Sequence, residues 1–222
     1  MFYLCKDKQI ISMESIERKV ARYLLEIEAV QLSAEKPFTW ASGWRSPIYC
    51  DNRKILSYPQ ARKQVYESLT ADIVNHYENV DVIAGVATGA IAWGVLIAEM
   101  VGKPFVYVRP KPKDHGTGAR IEGYLPDKAN VVVVEDLIST GASSLSAVEC
   151  LHVEGANVLG MVAIFSYNFI KSIRAFESSN IELRTLTNYD TLIEEAVASD
   201  YISQNDLETL RDWRFRPDVW GK

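Results

Sequence analysis

A chain of 222 residues, 48% hydrophobic and 24% charged, has the composition of a globular protein, which excludes disordered and fibrous classes. Its formal net charge of −5 argues against a protein built chiefly to bind a polyanion such as DNA, because that binding rests on phosphate neutralisation. Cys5, Cys50 and Cys150 are too scattered for a disulfide framework or a metal-binding ribbon, which fits a reducing cytoplasm.

In chain order, the opening MFYLCKDKQIISMES lacks the basic, apolar and small-residue regions of a signal peptide, so no export is expected. Ile16, Val20, Leu24 and Ile27 then recur at helical spacing and predict an amphipathic helix. The stretch FTWASGWRSPIYCDNRKILSYP, aromatic and β-branched but broken by Gly43 and Pro47, predicts short strands joined by turns, a flap over residues 38–53. A helix follows from Pro59 to about Tyr77.

From Val82 the pattern reads strand, glycine turn, helix, Gly102 stop, strand, which is a βαβ unit. This is also the most membrane-like stretch, but its glycines, Thr88 and Glu99 suit a buried strand and helix better than a span. VVVVED and the helix ASSLSAVECLHVEG repeat the unit, and NVLGMVAIFSY adds a strand. Alternation of this kind predicts an α/β protein with a central parallel sheet flanked by helices. Residues 189–222 read as a mainly helical tail. Without repeats, low-complexity tracts or a linker, residues 1–222 are expected to form a single domain.

Ligands of open parallel sheets bind beyond the carboxyl ends of strands, and three such ends carry unusual residues. In the first, four valines at 131–134 lead into Glu135 and Asp136, Leu137 and Ile138 re-anchor the chain, and Ser139, Thr140, Gly141, Ala142 and Ser143 open a helix. The N–H groups of a helix start, with hydroxyls and a glycine, suit a phosphate. The adjacent acids suit sugar hydroxyls. The plain alternative is a capped helix beside two solvated acids.

In the second, a strand runs to Arg109 and then into a loop holding Lys111, Lys113, His115 and Arg120, kept irregular by Pro110, Pro112, Gly116 and Gly118. Such a cationic arm suits a diphosphate, although basic tracts are commonly solvated faces. The third end, residues 86–89, is a small-residue turn that fits either an anion loop or an ordinary strand-to-helix connection.

The first stretch closely resembles the phosphoribosyl-diphosphate (PRPP) motif of the type I phosphoribosyltransferases. The pattern R-x-x-x-K-x-H-G, carried by Arg109, Lys113, His115 and Gly116, resembles the catalytic loop of the orotate phosphoribosyltransferase family. So does F-T-x-x-S-G-x-x-S-P-x-Y, which begins at Phe38. The resemblance spans roughly residues 15–165. It implies a type I phosphoribosyltransferase fold with a small N-terminal hood, approximately residues 14–55, over the site.

It also implies transfer of phosphoribosyl from PRPP to orotate in pyrimidine synthesis, with Lys113, His115 and Arg109 catalytic and PRPP held by residues 135–143. Ser139 and Tyr49 would meet orotate. Mg²⁺ would arrive on the diphosphate and not in a protein cage. The expected assembly is a cytoplasmic homodimer whose loop acts in trans, without nucleic-acid or membrane partners. The chain departs from some members at Ala41, where they carry Lys, and at Pro110, where they carry a second Lys, here displaced to Lys111. Arg45 and Arg174 stand as candidates for the orotate carboxylate. A transferase for another base and a PRPP-sensing regulator are the rival readings.

Overall fold

The structure, a computed structural model, describes residues 15–40, 42–112 and 120–221. Helix α1 (Ile16–Glu26) begins at Ser15, whose hydroxyl accepts the N–H of Arg18, and it carries Glu17 in its first turn. Both features stabilise a helix start. It buries Val20, Ala21, Leu24 and Leu25, so the apolar face is rotated from the expected one and Ile16 stays exposed.

Four short strands follow: β1 (Val30–Leu32), β2 (Phe38–Thr39), β3 (Arg45–Ser46) and β4 (Ile48–Cys50). β1 pairs antiparallel with β4, and β2 with β3. A 3-10 turn over Asn52–Ser57 leads to α2 (Pro59–His76), with proline at the helix start, where its missing N–H has no partner to lose. The predicted flap is therefore real secondary structure, two antiparallel pairs set apart from the main sheet.

The rest alternates as the sequence implies: β5 (Val82–Val86), α3 (Ile91–Val101), β6 (Phe105–Val108), β7 (Ile121–Glu122), β8 (Asn130–Ile138), α4 (Ala142–Val153), β9 (Asn157–Ser166), α5 (Ile170–Ser178), β10 (Leu183–Asn188), α6 (Tyr189–Ala198) and α7 (Gln204–Phe215). Strand order is β10-β9-β8-β5-β6-β7, parallel except for the antiparallel edge strand β7. α5 and β10 are elements that the sequence pattern does not announce. β10 is an edge strand with half-buried positions, and α5 buries only Ser172 and Phe176.

β8 is central, and its four valines are fully buried. Val132 and Val134 join a core with α1, α2, α3 and α6, while Val131 and Val133 join the opposite core with α4 and α5. Burial on both faces is why the strand is a continuous valine run and not an alternating one. The tail is helical as expected, yet α6 and α7 are core elements that bury Tyr189, Leu192, Leu210 and Trp213. Among the described residues no helix is long and apolar enough to cross a membrane.

Gly160 on β9 lies against Tyr77, and a Cβ there would sit 2.5 Å from the tyrosine hydroxyl oxygen and 2.6 Å from a ring carbon. Because that ring is buried and would have to shift to make room, Gly160→Ala should cost about 1–3 kcal/mol of stability. The loss would be read as a lower midpoint in urea denaturation.

Candidate active site

Three chain segments meet beyond the carboxyl ends of β5 and β8 and enclose a cleft of about 460 Å³. Its floor is the end of β8 with Glu135 and Asp136, joined by Leu137, Ser139 and Ser143. One wall is the β5–α3 turn, with Ala87, Thr88 and Gly89. The other is the run after β4: Cys50, Asp51, Asn52 and Arg53.

Glu135 is nearly dry, and Asp136 is half-buried. Glu135 is 5% exposed; the Ser144 hydroxyl donates to its Oε2 at 2.9 Å and the Asp136 N–H to its Oε1 at 3.1 Å. The carboxylate is thereby tied to the first turn of α4. Burial, then the charge of Asp136, pushes the Glu135 carboxyl well above the ordinary range. Burial also raises Asp136, opposed by its hydrogen bond with Glu135 and by the positive charge of Arg53. Gly89 makes this packing feasible, since any Cβ there would overlap the Asp136 carboxylate. The Ala87–Thr88 peptide beside it is cis.

At the floor's far end Gly141 adopts φ +79°, where a side chain would be strained and would meet Phe176 at 3.0 Å. α4 starts there without a side-chain cap. Its first N–H groups, with the Ser139 and Ser143 hydroxyls lining the cleft, form an anion seat. Ala142 and Ser143 are exposed at this seat. Ile138 differs from its neighbours: its side chain is fully buried and its carbonyl accepts the Tyr167 N–H, so it anchors the loop and only its backbone can face a ligand. Thr140 turns instead into a neighbouring cavity of about 220 Å³, shared with Trp44, Phe169 and Arg214.

The second wall escapes the sequence reading. Asn52, 1% exposed, donates from Nδ2 to the Asp136 carbonyl at 2.6 Å, and its Oδ1 lies 3.2 Å from the Cys50 thiol. Arg53 donates from Nε to Asp51 at 2.6 Å. Burial, then the negative charges of Asp136 and Asp51, pushes the Cys50 thiol well up. The available signal was the polar run CDNR directly after a strand. Nothing in it told which distant loop it would meet.

Not every expected residue converges here. Tyr49 is 42% exposed and packs on Phe38, with ring centroids 5.8 Å apart. Pleating turns it to the face opposite Ile48 and Cys50, so it does not line the cleft. Trp40 is committed to an aromatic cluster with Tyr167, Phe169 and Trp213.

Arg109, at the end of β6, is paired with Glu122 at 3.4 Å, and its backbone is held by Arg120 in the β6–β7 stem of the cationic arm. Lys113, His115 and Gly116 lie outside the described residues, as does Ala41. Among the described residues no group of three or more His, Cys, Asp or Glu forms a metal cluster.

The Phosphoribosyl transferase domain model matches residues 54–195. An orotate phosphoribosyltransferase of Porphyromonas gingivalis is 50% identical over 209 residues, covering 94% of this chain and all of that protein. The chain belongs to the orotate phosphoribosyltransferase family. Among solved structures, the orotate phosphoribosyltransferase of Aeropyrum pernix aligns with TM-score 0.72 and 27% identity over 83% of this chain and 99% of its own. The UMP synthase of Leishmania donovani aligns with TM-score 0.76 and 25% identity over 89% of this chain, which spans 42% of that larger protein. The type I phosphoribosyltransferase fold is thus shared. The domain model begins after the second wall of the cleft, so the family-wide portion holds the acids and the anion seat but not Asn52 or Arg53.

The raised Glu135 pKa has a sign. Protonation is favoured in the folded state, so the contribution of Glu135 to stability is complete below the ordinary carboxylate range and is lost as pH rises through the elevated value. Glu135→Gln should therefore gain thermal stability relative to the parent as pH moves from acidic to neutral, read as the difference between the two melting temperatures at each pH.

Proposed function

We propose that the protein transfers the phosphoribosyl group of PRPP to orotate, giving orotidine 5′-phosphate and diphosphate for pyrimidine synthesis in the cytoplasm. The observation that carries this is the pair of buried Glu135 and half-buried Asp136 set beside the uncapped start of α4. A ribose 5-phosphate presents hydroxyls to the acids and its phosphate to the helix start. Ser139 and Ser143, with Gly141 and the exposed first turn, take the phosphate, and Ser139 also meets the base.

No side-chain nucleophile is needed. A ring nitrogen of orotate attacks carbon 1 while the bond to diphosphate breaks, and positive charge develops on the ribose ring. Desolvated carboxylates next to that ring favour the developing charge, and they do so more strongly than they would in water. Bound hydroxyl donors and the cationic ring also draw Glu135 and Asp136 toward their charged forms, against the burial that raises them.

Two carboxylates and phosphate oxygens are hard donors that fit Mg²⁺. When bound, the ion would neutralise diphosphate charge, and Asp136 is the acid of the pair that feels the charge of Arg53. Arg53 supplies fixed positive charge on the facing wall.

Lys113 and His115, on the arm whose stem holds Arg109, stabilise the departing diphosphate. For Arg109 this means exchanging its contact with Glu122 for the phosphate. Approximately residues 14–55 act as a hood over the site on a single domain of residues 1–222 that ends in a helical tail, approximately residues 189–222. The arm reaches the site of a second copy in a homodimer.

An ultraviolet assay should show loss of orotate only when PRPP is present. Turnover of adenine or hypoxanthine in its place would overturn the assignment of the base. Lys113→Ala should lower kcat on the order of 10²-fold while PRPP binding stays within about tenfold, because its charge acts mainly in the transition state. Mixing that variant with Asp136→Asn should restore part of the activity through hybrid dimers, and absence of rescue would count against an arm that acts in trans.

A further inference from the structure

Trp213 in α7 is fully buried and stands at the centre of the aromatic cluster. Its ring centroid lies 5.6 Å from Trp40, 5.5 Å from Phe169, 5.8 Å from Tyr167 and 5.5 Å from Tyr189. Its indole N–H donates to the backbone carbonyl of Arg45 at 3.1 Å. One side chain near the C-terminus thus touches both arms of the β2–β3 hairpin, through Trp40 just after β2 and Arg45 at the start of β3. The hairpin and Trp213 lie outside the 54–195 domain match, on opposite sides of it in sequence.

The hairpin's own pairing is slight, and its rings hold it: besides the contact with Trp213, Trp40 packs on Tyr167 and Phe169, and Trp44 on Phe169. Its strands are two residues each, and such a pair has marginal stability of its own. Its position is therefore set by what it packs on. Trp40 carries the contact onward: its Nε1 donates to the Ile48 carbonyl at 3.0 Å, at the first residue of β4. β4 ends at Cys50, which lines the cleft, and Asn52 next to it is bonded to the Asp136 carbonyl. α7 itself is firmly placed. Ser203 and Asp206 form a reciprocal capping box at its start, and the Tyr189 hydroxyl donates to the Leu210 carbonyl at 2.9 Å.

We infer that Trp213 is a positioning residue for the base: by seating Trp40 and Arg45 it fixes the hairpin, and through β4 the depth of the wall formed by Cys50 and Asn52. The C-terminal helix is then a second half of the hood, and selection of the base depends on both ends of the chain. The inference rests on the transferase reading above. PRPP is held by residues 135–143 on the far side of the cleft, which this wall meets through the single hydrogen bond from Asn52 to the Asp136 backbone carbonyl, so orotate is the substrate more exposed to a shift of the wall.

The test is steady-state kinetics with orotate and PRPP varied separately. Trp213→Leu, which removes both the N–H and most ring contacts, should raise KM for orotate about tenfold while KM for PRPP stays within about twofold. Trp213→Phe keeps most of the ring contact and should recover part of the orotate affinity. Ser203→Ala loosens α7 from its exposed end without touching the cluster, and should shift KM for orotate in the same direction by less.

Equal rises in both KM values, or a lower melting temperature with both KM values at parental levels, would overturn the inference. Should the Trp213 variants not fold, loss of helicity in Ser203→Ala with an unchanged KM for orotate would overturn it equally. A parent that does not consume orotate overturns the transferase reading and this inference with it, a result distinct from an active parent whose variants bind orotate normally.

Discussion

Where β8 leaves the sheet, two adjacent carboxylates are stripped of most of their water, and three neighbouring segments are shaped by having to tolerate them. Desolvated acids cost free energy unless polar partners meet them. Glu135 is met by the hydroxyl of Ser144 and the amide of Asp136. Asp136 is met on one flank by a residue without a side chain, Gly89, and on the other by the charge of Arg53, while its carbonyl is taken by Asn52. These interactions do not fully offset burial, since both carboxyls stay raised. The residual cost is removed by a ligand that donates hydrogen bonds or carries positive charge. Stability is given up at the place where binding recovers it.

The architecture divides this labour. The parallel sheet and its helices deliver the acids and the helix start with little freedom, because four consecutive valines fix the strand from both faces. The facing wall comes from strands of two and three residues whose placement depends on side chains, chiefly aromatic rings and the Asn52 amide. The end of β8 and the start of α4 are thus placed by backbone geometry, and the other wall by side-chain packing.

That division also explains what could be read in advance. The valine run, the hydroxyl-rich turn after it and the βαβ alternation are local patterns with a strong physical meaning, and each corresponds to an element at nearly the expected bounds. The partnership of Asn52 with Asp136 spans 84 positions and rests on one side-chain amide, so no periodicity encodes it. That Tyr49 does not line the cleft has a subtler reason. In a strand as short as β4, which residue faces the cleft is decided by pairing with β1, Gln31 opposite Tyr49, and hydrophobic alternation over three residues cannot reveal it. α5 and β10 stayed silent because one is a helix of only nine residues and the other an edge strand of mostly half-buried positions. Arg109 was recognised by type, but its contact with Glu122 appears only once β6 and β7 pair.

The valines of β8 have one more consequence. Each alternate side chain belongs to a different core, so the strand cannot separate from its neighbours without opening both faces of the sheet together. Its amides would exchange with solvent only through global unfolding, whereas those of the short hairpin strands can exchange through local fluctuations. The site therefore has a floor as durable as the whole molecule and a wall that can breathe. On the proposed function, admission of a substrate and its retention fall to different parts of the chain.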